Sequence, residues 1–346
     1  MLANQLAEDL EHVLEHTEDL WVAMRGERIF LTGGTGFFGC WLLESFAWAN
    51  ARLKLGAQAT VLTRSPAVFT HKAPHLAANP AIQLFCGEVG TFEFPQGAYA
   101  AVVHAAVQHF PDPWDTLDAI IGGTRRTLDL ACQSKARRYL FASSGAVYGR
   151  QPPELEHLPE SYPGAPGPEN LKTAYGQGKR IGEFLCSYYY QQYGIEPVVA
   201  RGFAFIGPYL PLDANYAVGN FIRDALNGAP IHIQGDGTPY RSYLYAADLA
   251  IWLWTLLLRG RPGEAYNVGS EAALTIAELA RQVTCVVDPQ LPVQIAQTSL
   301  AGVPAERYVP ATQKAASELG LQTWIPLDEA LRRTVRWHEL RDLAPN

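Results

Sequence analysis

Three glycines spaced three residues apart, in Thr32-Gly33-Gly34-Thr35-Gly36-Phe37-Phe38-Gly39, separate a short apolar run, Arg28 to Leu31, from a longer apolar stretch, Phe37 to Trp48. Glycine at these places permits a tight turn and lets a helix pack closely on the strand before it. It also leaves the first NH groups of that helix unobstructed, at the end where the helix dipole is positive. A strand that turns so sharply into a helix usually continues by a crossover to a parallel strand. The chain behind this turn repeats the pattern. Apolar or β-branched runs at 59–63, 82–86, 100–105, 138–143 and 196–201 read as strands, and 115–134 and 174–193 read as helices between the later ones.

Alternation of this kind predicts an α/β fold, a Rossmann-like doubly wound parallel sheet covered on both faces, over residues 26–200. Ahead of it, Leu6, Leu10, Val13, Leu14, Leu20 and Trp21 recur at roughly helical intervals, so 1–25 is expected to be an N-terminal amphipathic helix packed on the core. Beyond Arg201, Pro208, Pro211, Gly219, Gly228, Pro230, Gly235, Gly237 and Pro239 break the chain into short pieces before apolar helices near 246–258 and 274–287. Residues 201–346 therefore read as a smaller mixed α/β substrate lobe; whether the two lobes interleave is open at this level. Ligands of such sheets bind outside the carboxyl ends of the strands, so the cleft between lobes is where chemistry is expected.

With 346 residues, 48% of them hydrophobic, the chain can bury a full-sized core. A formal net charge of -7 disfavours nucleic acid or an anionic membrane as partner. There is no apolar run of about 20 residues and no basic, apolar leader, so a cytoplasmic protein is expected. Five cysteines without CxxC pairs and nine histidines without ligand spacing predict neither a disulfide framework nor a metal site.

In its strand-turn-helix setting the glycine turn points to a dinucleotide, with Gly33, Thr35, Gly36, Phe37, Phe38 and Gly39 around the diphosphate. After the second strand, Leu62-Thr63-Arg64-Ser65 lacks the acid that takes the adenosine ribose hydroxyls of NAD. Arg64 could pair with a 2'-phosphate instead, which leans NAD(P) slightly toward NADP; an exposed loop arginine is the equal alternative. Glu88 and Val89 after the third strand, and Ala105 and Ala106 after the fourth, are candidate cofactor walls. Tyr175 and Lys179 stand four apart in a predicted helix, on one face, some thirty residues after Ser143-Ser144. An ammonium beside the phenol favours phenolate and is expected to bring Tyr175 toward use as a base.

On these residues the chain resembles the extended short-chain dehydrogenase/reductase family, in particular its NAD(P)-dependent nucleotide-sugar epimerases, dehydratases, decarboxylases and ketoreductases. The resemblance runs from Arg28 to about His338 and includes Arg201 to Pro208, Gly235-Asp-Gly237 leading to Arg241 and Asp248, Tyr266-Asn-Val-Gly269, and Arg307 ahead of Lys314. It implies that Ser144, Tyr175 and Lys179 are catalytic, with Tyr175 and Lys179 also touching the cofactor. It further implies that Ser144, Phe203, Asn220, Arg241 and Arg307 bind a nucleotide-diphosphate sugar, and that helices 115–134 and 174–193 form a homodimer. The chain departs from the family pattern in Ala204, in Ser242 and in the short stretch from Gln108 to Asp115. It also reads Ser144-Gly145-Ala146 where dehydratases carry acids and decarboxylases a Glu. The expectation is an epimerase that transiently oxidises a sugar hydroxyl, at C4, to a keto intermediate. An NADPH-dependent 4-ketoreductase, a dehydratase or decarboxylase with displaced acids (Glu88, Asp112 or Asp115), and a non-catalytic nucleotide-binding protein are the alternatives.

Overall fold

The computed structural model describes residues 4–214, 216–300 and 302–342; the ends of the predicted N-terminal segment and C-terminal lobe, with 215 and 301, lie outside them. The apolar runs become parallel strands: β1 (Arg28–Thr32), β2 (Gln58–Thr63), β3 (Ile82–Cys86), β4 (Ala101–His104), β5 (Arg138–Ser144) and β6 (Glu196–Gly202). Side chains alternate across the sheet as the two-residue period requires. Ile29, Leu31, Ala101, Val103, Leu140 and Val198 enter one core, and Phe30, Val102, Tyr139, Phe141 and Val199 enter the other. Both faces are dry, which is why these strands read as continuous apolar runs rather than as alternating ones.

From one edge the sheet runs β3, β2, β1, β4, β5, β6, and then a seventh parallel strand, Ala265–Val268. The chain thus moves outward from β1 to β3 and returns on the other side of β1 at β4. The crevice at that reversal, above the carboxyl ends of β1 and β4, is where a doubly wound sheet takes ligands. On one face the helices Pro113–Gln133 and Ala174–Tyr193 pack together; on the other lie Phe37–Leu53 and Ala246–Arg259, with Trp41, Phe46, Trp252 and Trp254 fully buried.

The part of the chain beyond Arg201 returns twice to this sheet, through the helix Ala246–Arg259 and the strand Ala265–Val268. Arg138 of β5 donates to the carbonyls of Leu257 (2.6 Å) and Gly260 (2.8 Å) at the end of that helix. Away from the sheet, Tyr240–Arg241 pairs with Leu274–Thr275 and with Arg307–Tyr308 in a small three-stranded sheet. The N-terminal segment forms the helix Ala7–Thr17 and a 3-10 turn, Glu18–Met24. Leu10, Val13 and Leu14 are buried, Asp9 accepts from Tyr245 (2.7 Å), and His12 is bonded to buried Asp248 (3.1 Å). The segment packs on the core. No helix of the described residues is long and apolar enough to cross a membrane.

Candidate active site

At the mouth of β1 the glycines do what their spacing suggests. Gly33 has φ +71°, and a Cβ there would lie 2.5 Å from the Ala105 carbonyl carbon; one on Gly39 would lie 2.2 Å from Gly34 Cα. The turn is therefore pressed against the end of β4, at Ala105 and Ala106, and only glycine permits it. Gly36 precedes the helix Phe37–Leu53 with no side chain capping the free NH groups. Thr32 locks the floor, its Oγ1 2.7 Å from His104 Nδ1 and accepting from Ala106 NH (3.2 Å). Burial, with Lys179 nearby, pushes the His104 imidazole down to about 3, so this histidine is a neutral structural link. A narrow cradle of free NH groups with no anion of its own fits a dinucleotide diphosphate.

Arg64 is exposed at the end of β2. The Gln108 amide, in the loop after β4, accepts from Arg64 (3.0 Å) and donates to Glu88 Oε1 (2.9 Å), tying three strand ends together. Val89 lies against Gly123. Glu88 thus faces the Arg64 side of the cleft, and Asp112 caps the helix Pro113–Gln133 through Trp114 NH (2.8 Å).

β5 delivers Ser144 to the centre of the cleft, its Oγ accepting from Ala146 NH (3.2 Å) at a 3-10 turn. The helix Ala174–Tyr193 approaches this strand closely because its inner face is glycine. A Cβ on Gly176 would stand 2.7 Å from the Ala146 carbonyl oxygen, and one on Gly182 would stand 2.4 Å from the Phe141 ring. That approach sets Tyr175 beside Ser144, whose hydrogen bond to the phenol favours phenolate while burial, the larger effect, holds the phenol above its usual value. The ammonium of Lys179, buried, sits 5.9 Å from the Tyr175 ring centroid and donates to the Ala142 carbonyl at 2.7 Å. The expected depression of Tyr175 by Lys179 is thus not held in this arrangement. The reason is that the ammonium turns to a strand carbonyl, and burial pushes it down to about 8.

Tyr308, which sequence reasoning missed, closes the far side. Its hydroxyl is 3.5 Å from Ser144 Oγ and donates to the Gly202 carbonyl (3.4 Å), and its ring centroid is 4.7 Å from that of Phe203. In the small sheet Tyr308 is paired with Arg241, and Arg307 with Tyr240. The Arg241 guanidinium lies 5.9 Å from the Tyr308 ring centroid; that of Arg307 lies 4.3 Å from Tyr240. Neither is paired with a carboxylate among the described residues: Arg241 donates to the Tyr240 carbonyl and Arg307 to that of Glu156. The neighbouring Ser242 hydroxyl is buried and has no hydrogen-bond partner among the described residues. Asn220 stands apart on the helix Ala217–Leu226, its side chain accepting from Arg223 (3.2 Å).

Beneath the site runs a buried network that no local pattern announced. Glu183, one turn after Lys179, accepts from Ser143 Oγ (2.6 Å) and from Arg201 at both oxygens; Arg201 also donates to Tyr148 (2.9 Å), which donates to Asn267 (2.7 Å). Among the described residues no group of three or more His, Cys, Asp or Glu is placed to hold a metal ion.

Residues 29–269 match the model of the NAD dependent epimerase/dehydratase family. The chain belongs to this family. This epimerase/dehydratase is 31% identical over 312 residues to UDP-glucuronic acid decarboxylase 1 of Arabidopsis thaliana, covering 89% of the chain and 69% of the relative. Its fold is that of UDP-N-acetylglucosamine 4-epimerase from Methanobrevibacter ruminantium M1 (TM-score 0.78, 20% identity, 91% of this chain and 99% of that one). It is also that of the dTDP-glucose 4,6-dehydratase DesIV from Streptomyces venezuelae, solved with NAD bound (TM-score 0.77, 23% identity, 90% and 97%). The extended short-chain dehydrogenase resemblance and the Rossmann-like sheet hold, and the protein is an enzyme of an NAD-dependent, nucleotide-sugar family.

Proposed function

We propose that this enzyme, acting in the cytoplasm, oxidises the C4 hydroxyl of a nucleotide-diphosphate sugar to a ketone and returns the hydride to the other face of the same carbon, an epimerase cycle. The convergence of Ser144, Tyr175 and Lys179 beside the glycine cradle, with no added acid next to Ser144, carries this reading. When bound, the nicotinamide dinucleotide takes up the hydride and gives it back. Tyr175 accepts the hydroxyl proton, Ser144 aligns that hydroxyl, and Lys179, with its ammonium buried beneath the phenol, supplies positive charge and a contact for the cofactor ribose. Phe203 and Tyr308 wall the sugar. A Cβ at Gly145 would meet the Tyr308 hydroxyl at 2.7 Å and the Phe203 ring at 2.9 Å, so an acidic side chain has no room there. Elimination, which needs such an acid, is disfavoured on that ground.

The carboxylate-free guanidinium groups of Arg241 and Arg307 suit a diphosphate, which arginine grips bidentately. Arg241→Ala should weaken nucleotide-sugar binding by about 2 kcal/mol, roughly 30-fold, by calorimetry, with dinucleotide affinity unchanged. An unchanged Kd would return Arg241 to a structural role. Asn220 would join the grip from its own helix. Arg64, engaged by an amide rather than a carboxylate, supports NADP over NAD; competitive binding of the two dinucleotides decides it.

The second reading is decarboxylation of a nucleotide-activated uronic acid through the same ketone, favoured by the identity to the plant decarboxylase. One screen separates them: UDP-, dTDP-, GDP-, CDP- and ADP-sugars, with UDP-glucuronic acid among them, offered without added cofactor. A C4 epimer supports the first reading and release of CO2 replaces it with the second. No change in any sugar refutes both.

We also assign a homodimer to the helices Pro113–Gln133 and Ala174–Tyr193. On the helix Ala174–Tyr193, Phe184 is 68% exposed and Tyr188 45% exposed, aromatic surface that a second copy would cover. Light scattering at micromolar concentration should give twice the 38.0 kDa chain mass; a monomer removes the assignment.

A further inference from the structure

His12, His75, His104 and His157 each have a ring nitrogen bonded to the protein, at Asp248 (3.1 Å), Glu44 (2.7 Å), Thr32 (2.7 Å) and the Glu271 carbonyl (3.1 Å). His109 differs. It lies in the loop between β4 and the helix Pro113–Gln133, exposed, and neither of its ring nitrogens has a hydrogen-bond partner among the described residues. Its ring nonetheless rests against Tyr175, with centroids 5.0 Å apart.

The loop holds it there from both sides. On one side Gln108 is tied to Arg64 and Glu88. On the other Phe110 NH donates to Thr116 Oγ1 (2.9 Å), which donates back to the Phe110 carbonyl (3.2 Å). A free imidazole is thereby fixed at the rim of the phenol that would face the sugar. We infer that His109 is a second proton-transfer residue of this site, acting on the carbon beside the C4 ketone of the nucleotide sugar; the inference rests on the ketone stage proposed above.

The chemistry follows from what is placed around it. A ketone at C4 acidifies the hydrogen on each adjoining carbon. That C–H bond breaks, its proton goes to the free imidazole nitrogen, and its electron pair moves onto the C4 oxygen as an enolate. Tyr175, already carrying the proton it took from the hydroxyl, donates to that oxygen together with Ser144. Partial burial and then the Lys179 ammonium both hold the imidazole below its ordinary value, the direction that favours the form with a nitrogen open to a proton. Being exposed, the imidazolium trades its proton with water before returning one to carbon, and no oxidant or reductant is consumed.

The test is deuterium uptake from heavy water into the carbons flanking C4, measured by mass spectrometry per dinucleotide reduced by the bound sugar. In the parent the label should enter; in His109→Asn the ratio should fall by at least about 100-fold, and added imidazole should restore it in His109→Ala. A general loss of structure would lower uptake and reduction together and leave the ratio unmoved. A readout that needs no turnover is the His109 imidazole proton resonance, assigned by its loss in the variant, which should shift when nucleotide sugar is added. An unchanged ratio in His109→Asn, or reduction without label in the parent, overturns the inference while leaving the ketone stage intact. If no nucleotide sugar reduces the dinucleotide, the ketone stage and the inference fall together.

Discussion

Tyr175→Phe should lower turnover by about 100-fold or more while nucleotide-sugar affinity changes little. The ring that rests against His109 is kept, so packing is preserved. What disappears is the hydroxyl beside Ser144. Burial holds this phenol above its usual value, so the phenolate that takes the hydroxyl proton has to be favoured by positive charge brought alongside it when the site is filled. The comparison is made with a responsive nucleotide sugar at matched cofactor occupancy. Turnover near that of the parent would remove Tyr175 as the essential base, and a large loss of binding would make its role one of recognition.

Glu183→Ala should cost about 3 kcal/mol of stability or more, because it leaves the Arg201 guanidinium buried without its carboxylate. The side chains of the pair are only 16% and 15% exposed, so solvent does little to soften the loss. Denaturant unfolding of the purified variant measures it, and a loss under about 1 kcal/mol would mean that water replaces the carboxylate. The same change also reaches the chemistry. Cys186 first and Glu183 second favour the Lys179 ammonium against its burial. Without Glu183 the pH at which that ammonium is lost, about 8 in the parent, should move lower. The alkaline limb of the rate profile should move with it, an effect that lost packing alone would not produce.

The sheet was legible because its strands are buried on both faces and its crossovers are long. The run 196–201 needed only a register to become β6, and the helix 174–193 ends where Gly194 takes φ +70°. The seventh strand, Ala265–Val268, was hidden by its shortness and by Tyr266 and Asn267, whose polar atoms point into contacts made far along the chain. Distance in sequence also hid Tyr308, which stands 164 residues from Ser144, and the Ser143–Glu183–Arg201 network, whose members read singly as ordinary polar residues. His109 carried no signal except its place in an unusually short loop. The direction of the Lys179 ammonium could not be read from four-residue spacing, which fixes a face of the helix but not which acceptor on β5 the side chain reaches.

That the sheet is completed by Ala265–Val268 matters while the protein is being made. Until those residues leave the ribosome, β6 is an open edge with unpaired NH and carbonyl groups, and Arg138 lacks the carbonyls of Leu257 and Gly260 that receive it. An exposed apolar strand of this kind is a template for pairing with another chain. The nascent chain is therefore most in need of chaperone cover between the emergence of β6 and that of the seventh strand, and a product cut short in that interval should aggregate rather than persist as a free dinucleotide-binding unit.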